Sequence, residues 1–276
     1  MWDWFVWDNP VAIWWVGLVA VSLCNILFWF WSRTYFRGSR HPVLMLSSFY
    51  VFGCAFRSIL PRADVQRITL FDTWWASVFV GRTVATVAEL AFVFQWALVL
   101  AYSSRETDSN SVAKIAKVIV PLIVIAEICS WYAVVTTNYI GNAIEESTWA
   151  FTLILIGVAT TILARRFKGA LRTVSVLASV GCALYVAFMV TVDVPMYVTR
   201  WLADQESAKS YLGLAAGLFD LNTRWIVTHD IQEWRSEIPW KSLYFSVAVW
   251  VSLALCFVPR THGALRKYLS GPSRID

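Results

Sequence analysis

The side chains best equipped for chemistry in this 276-residue chain stand inside apolar runs. Arg57 falls in the second run; Arg82, Glu89 and Gln95 in the third; Glu127 in the fourth, with Asn138 at its end. Glu145 and Glu146 open the fifth, Asp193 and Arg200 belong to the sixth, and Lys241 opens the seventh. An ionisable group at mid-helix in a bilayer costs about 2.5–3.5 kcal/mol on insertion scales, so each needs a partner or water. Spacing groups them. Arg82 and Glu89 are two helical turns apart on one face with Thr86 between them; Asp193, Tyr197 and Arg200 follow i, i+4, i+7; Glu127, Trp131 and Asn138 share a stripe. Three helices thus carry polar stripes, which packing turns inward rather than toward lipid.

Two kinds of chemistry suit this set. Arg57, Arg82, Glu146, Trp149, Asp193, Tyr197, Arg200 and Lys241 are candidate ligand-binding residues, with the bases holding an anionic group. Glu127 and Glu89 are the candidate catalytic pair: carboxyls in unlike settings, one apolar and one beside arginine, suit an acid and a base. Glu127 has no evident basic partner in the sequence, which suits proton transfer or a single buried hydrogen bond. The competing reading pairs Glu89 with Arg57 or Arg82, and Asp193 with Arg200, as internal struts. Successive helical residues point about 100° apart, so Glu146 is expected to face the bundle, with Trp149 nearby, and Glu145 to be a solvated acid at a helix start. Leu60–Asp64 reads as a turn with a charge pair.

These residues need elements to position them. The chain is 58% hydrophobic and 15% charged, whereas soluble domains carry roughly 25% charged residues. Its apolar residues come in unbroken runs instead of alternating with polar ones. The expected fold is all-α: a polytopic membrane protein of about seven transmembrane helices, at roughly 10–32, 43–60, 73–102, 115–137, 147–164, 173–198 and 241–258. It reads as one domain over 1–276. An amphipathic interfacial segment is expected at about 200–240, where Tyr211, Leu212, Ala215, Leu218 and Phe219 recur at helical spacing while Lys209 and Asp220 fall elsewhere. Trp201, Trp225, Trp234 and Trp240 bracket it as headgroup-zone residues.

Alternate loops differ in charge. Arg33, Arg37, Arg40, Arg105, Lys114, Lys117, Arg165, Arg166, Lys168, Arg172, Arg260, Arg266, Lys267 and Arg274 all fall on one side, 14 in number, against seven on the other. The positive-inside rule then puts the N-terminus outside and the C-terminus in the cytoplasm. By 1.5 Å rise per residue, Glu127 and Gln95 lie near mid-depth and most other ionisable groups in the outer half. The start, with Asp3 and Asp8 and no base, is unlike a signal peptide and is expected to be retained as the first span.

Other classes are excluded. The net charge of +5 follows the loops rather than a basic module, so no nucleic-acid partner is expected. Cys24, Cys54, Cys129, Cys182 and Cys256 lie in apolar runs without a CxxC pair. His41, His229 and His262 are scattered outside the spans, so no zinc or di-iron site and no cofactor is expected. Lys241 is at the entrance of the last span, not midway as a retinal Schiff base requires. The leading expectation is an outward-facing polar intramembrane pocket that binds a small polar molecule or lipid headgroup for transport or sensing, in a plasma or bacterial inner membrane. The alternatives are a metal-free acid/base enzyme acting on a lipid or isoprenoid, and a non-catalytic subunit that packs against membrane protein partners. In each case membrane lipids surround it.

Overall fold

The computed structural model describes residues 4–36 and 42–258. Asp3, Arg37, Arg40, His41, Arg260, His262, Arg266, Lys267 and Arg274, used above, lie outside the described residues. Seven helices are long and apolar enough to cross a membrane: α1 (Pro10–Tyr35), α2 (Pro42–Ile59), α3 (Val78–Glu106), α4 (Asn110–Thr136), α5 (Tyr139–Arg166), α6 (Gly169–Glu206) and, after the short α7 (Leu214–Thr223), α8 (Glu237–Leu255). The end of the bundle where α1, α3, α5 and α8 begin is called the upper end.

Capping residues set the helix starts. Asn9 Oδ1 accepts from the Val11 amide at 2.9 Å and Pro10 takes the first helical position, where its missing N–H is no loss. Ser77 Oγ caps α3 by accepting from Val80, after a 3-10 turn at Trp74–Ala76, so the third span begins later than residue 73. The fifth differs more. Thr137 turns the chain in the left-handed region (φ 62°), and Asn138 Oδ1 accepts from the Ile140 amide at 3.1 Å. The polar segment expected to join two spans is therefore already helix from Tyr139, with Glu145 and Glu146 in its second turn.

Neighbouring helices pack pairwise from α1 to α6, and α8 closes the bundle against α1, α2 and α3. In lipid such packing rests on close fit and hydrogen bonds rather than water exclusion. Small residues supply the fit. A Cβ on Gly141 would stand 2.6 Å from the Cys129 carbonyl oxygen, and one on Gly53 would stand 2.9 Å from the Ala88 Cβ. Buried Tyr50, Phe92, Trp96, Ile119, Ile123, Ile156 and Phe245 belong to one apolar core. Gln95, fully buried, ties three helices: its Nε2 donates to the Val43 carbonyl at 2.9 Å, and Ser252 Oγ donates to its Oε1 at 2.6 Å. In contrast, only 17% of the apolar stretch of α6 is buried, so this helix is held mainly through α5.

Both α6 and α8 contain a π turn, at Met189–Asp193 and Tyr244–Ala248. Such bulges are frequent at functional sites because one extra residue per turn re-aims the side chains. At the upper end a three-stranded patch binds distant loops: β1 (Arg62–Ala63) pairs antiparallel with β2 (Ile68–Thr69), which pairs parallel with β3 (Ile226–Val227). The amphipathic helix expected within 200–240 corresponds to α7, with Leu214, Leu218 and Phe219 exposed. Its buried side is Gly217 and Leu221, set against α3 and α4. Asp220 turns to the protein as well, taking a 2.7 Å bond from Arg67 Nε. Trp234 departs from the headgroup-zone expectation. It is fully buried among Val11, Ala63, Ile68 and Leu70, and its Nε1 donates to the Thr228 carbonyl at 3.0 Å.

Candidate functional site

Arg82 in α3 is the centre of the polar network. Its Nη2 donates to Glu127 Oε2 at 2.8 Å and to Glu89 Oε2 at 3.2 Å, and its Nη1 lies 3.4 Å from Glu145 Oε1. Three helices thereby meet on one guanidinium. Thr86 Oγ1 donates to Glu127 Oε2 at 2.6 Å and accepts from Trp131 Nε1 at 3.0 Å, which completes the stripe foreseen on α3 and α4. Glu89 also receives the Tyr244 hydroxyl at 2.9 Å and stands 3.5 Å from Arg57 Nη1. The Arg57 guanidinium in turn lies over the Tyr244 and Phe245 rings.

Two expectations are corrected here. Glu127 is not without a base, because α3 and α4 pack closely enough to bring Arg82 to it. Glu145 is not solvated: it is 3% exposed, pairs with Arg82 and accepts from Asn142 Nδ2 at 3.0 Å. The cause is that α5 is covered by α4 on one side and by α6 on another, so residues 100° apart on it are both enclosed. Glu146 is buried as expected, and Trp149 is half-buried against the apolar core.

On α6 and α8 the pairing also differs from the expected Asp193–Arg200 couple. Arg200 Nη2 donates to Ser236 Oγ at 3.0 Å, its Nη1 is 3.9 Å from Glu237 Oε1, and its guanidinium lies over the Tyr139 and Tyr197 rings. Lys241 reaches Glu237 Oε2 at 3.0 Å, one turn back on its own helix. Among the described residues, Asp193 and Glu146, 3% and 7% exposed, are in no ion pair, and Asp193 Oδ2 is buried without a hydrogen-bond partner. The π turn that ends at Asp193 packs against α5, the helix that bears Glu146.

Sequence reasoning missed several contributors. Tyr244 shares a helix face with Lys241 at i, i+3, a spacing that marks it. Asn142 and Glu237 stand one turn from Glu145 and Lys241 respectively. Arg62 and Asp64, read as part of a turn, form an enclosed pair in which Arg62 Nε donates to Asp64 Oδ1 at 3.0 Å. Burial pushes the Arg62 guanidinium down to about 10, against the pull of Asp64. Burial alone would push the Asp64 carboxyl up, but Arg62, Arg57 and Arg82 outweigh it and hold the group below the usual aspartate range.

Glu89, Glu127 and Glu145 bring ligand oxygens within 4.8 Å of one another, a grouping that could hold a hard metal ion. Arg82 already contacts all three, so their charge is met in part from within the protein. The arrangement can therefore hold a proton or a cationic group, and its carboxylates outnumber the bases beside them. No family model matches this sequence, and no curated protein or solved structure matches it.

Proposed function

We propose that this chain is a multi-pass membrane protein, N-terminus outside, whose upper half forms a polar intramembrane pocket. The pocket binds a small polar molecule or lipid headgroup that bears a cationic group, for transport or sensing. One observation carries this reading: among the described residues Glu146 and Asp193 are buried carboxylates that form no ion pair, and Asp193 Oδ2 is enclosed without a hydrogen-bond partner. The charge census supports it. Asp64 offsets Arg62, Glu237 offsets Lys241, and Arg200 stands near Glu237. With Glu237 shared by two bases, the seven carboxylates Asp64, Glu89, Glu127, Glu145, Glu146, Asp193 and Glu237 stand against the five bases Arg57, Arg62, Arg82, Arg200 and Lys241. A buried group of carboxylates in excess of its bases needs a cation or protons.

The acid/base alternative is less well supported, because Glu89 and Glu127 are already engaged by Arg82, Tyr244 and Thr86. A groove of about 660 Å³ between α1, α6 and α8 would admit an apolar chain, but Cys24, Asn25, Phe28, Val174, Trp250 and Phe257 line it and no carboxylate does.

Native mass spectrometry of molecules retained by the purified protein tests the proposal. Wild type should retain an amine-bearing solute or headgroup that Glu146→Gln and Asp193→Asn lose. If both variants retain the same set as wild type, the pocket reading is wrong.

A further inference from the structure

Arg200, near the upper end of α6, is held by only part of its guanidinium. Nη2 donates to Ser236 Oγ at 3.0 Å and the group lies over the Tyr139 and Tyr197 rings. Nη1, in contrast, is buried without a hydrogen-bond partner among the described residues, because Glu237 Oε1 stands off at 3.9 Å. Glu237 is also shared, since its Oε2 meets Lys241 Nζ at 3.0 Å. Two bases divide one carboxylate here, so one positive charge is left over.

Asp193 is the opposite case on the same helix. It precedes Arg200 by seven positions, two turns or about 10 Å along the axis, with Tyr197 between them one turn from each. The Arg200 guanidinium over the Tyr197 ring is therefore turned back along α6 in the direction of Asp193. Arg200 and Lys241 both act on Asp193 as charges, yet neither pairs with it, and Asp193 Oδ2 is buried without a hydrogen-bond partner among the described residues. Glu146 adds a second acid at that level, since Asp193 is among the charges acting on it. A buried donor and a buried acceptor that both stay unpaired cost free energy. A molecule with an anionic group at one end and an ammonium at the other satisfies both.

We propose that the ligand of the polar pocket is a zwitterion, its ammonium held by Asp193 and Glu146 and its phosphate or carboxylate accepting from Arg200 Nη1. The inference rests on the cation-binding reading given above and adds a second, opposite charge to the ligand. Arg200 suits the anionic end because its Nη2 is already fixed by Ser236 and the two rings hold its plane. A lipid headgroup of the phosphoethanolamine type and the free solute share the required chemistry.

The test titrates the full chain in neutral detergent with phosphoethanolamine, ethanolamine and inorganic phosphate at equal ionic strength, with binding read by calorimetry. In parallel, native mass spectrometry compares retention of phosphatidylethanolamine, stearylamine and phosphatidic acid from mixed nanodiscs. In at least one series wild type should favour the zwitterion over the amine alone by about tenfold or more, as one charge-assisted hydrogen bond provides. Arg200→Gln should erase that preference by lowering zwitterion binding to the level of the amine, and Arg200→Lys should restore part of it. Asp193→Asn should weaken zwitterion and amine alike. If the arginine variants do not fold, the preference of wild type within each series decides. Phosphatidylethanolamine favoured without binding of the free solute assigns a lipid source; the reverse assigns a soluble one. Amine and zwitterion bound equally by wild type, or a preference that Arg200→Gln leaves intact, overturns this inference, and the cation-binding reading survives where Asp193→Asn still abolishes binding. No binding of any probe, or binding that Asp193→Asn leaves unchanged, ends both.

Discussion

The Tyr244 hydroxyl donates to Glu89 Oε1 at 2.9 Å, joining the last membrane-length helix to the third across 155 positions of sequence. Tyr244 is also the first residue of the π turn in α8. The bulge and the carboxylate network therefore share a side chain. A hydrogen bond to a charged group contributes about 1.5–3 kcal/mol. Tyr244→Phe is expected to lower stability by that amount, seen as an earlier midpoint in denaturant titration of the protein in micelles.

Arg82→Met should cost about 3–5 kcal/mol, because it leaves three carboxylates facing one another. Adding Glu127→Gln to that variant removes one of those charges. The double variant should be more stable than the two single losses added together, and a thermodynamic cycle from thermal unfolding reads the difference.

Gly141→Ala tests the α4–α5 contact. Its new Cβ would meet backbone atoms of Cys129 and Ala133 at 2.6 and 2.9 Å, which cannot rotate aside. Overpacking of this kind costs about 1–3 kcal/mol. Gly17→Ala in α1, with nothing within 4 Å of the added carbon, is the control and should be neutral or slightly stabilising on the same thermal scale.

Acid should weaken the Arg62–Asp64 pair in a defined window. The Asp64 carboxyl lies below its ordinary range in the folded chain. Its contribution is therefore complete above the unfolded value near about 4 and is lost as pH falls through the lower folded value. Asp64→Asn should flatten that part of the stability–pH profile; an unchanged profile would argue that the pair adds nothing.

Sidedness can be read by labelling. In a variant with its native cysteines replaced, a cysteine at Gln232 should react with an impermeant maleimide on intact cells. One at Lys168 should react only after permeabilisation. The opposite pattern would invert the orientation inferred from loop charges.

Much of the architecture was legible because it depends on local signals. Apolar run length marks all seven long helices, and the i, i+7 spacing of Arg82 and Glu89 placed them on one face, where they meet at 3.2 Å. Which acid meets which base was not legible. That Arg82 reaches Glu127 and Glu145 depends on how closely α3, α4 and α5 approach, and this is set by small residues such as Gly141 whose partners lie elsewhere in the chain. The Asp193–Arg200 couple of the competing reading does not form for a related reason. Arg200 is instead drawn to Ser236 and Glu237 and over the Tyr139 and Tyr197 rings, groups brought to it from other parts of the chain.

The order in which the network's members appear along the chain bears on biogenesis. Arg57, Arg82, Glu89, Glu127 and Glu145 all belong to α2–α5 and satisfy one another there. Glu237 and Lys241 arrive last, already coupled within a single turn. In a chain inserted helix by helix, as the proposed multi-pass topology requires, the first five long helices would thus already shield both early arginines. The last long helix would then arrive with its own lysine already offset, and its tyrosine would latch onto a cluster assembled beforehand.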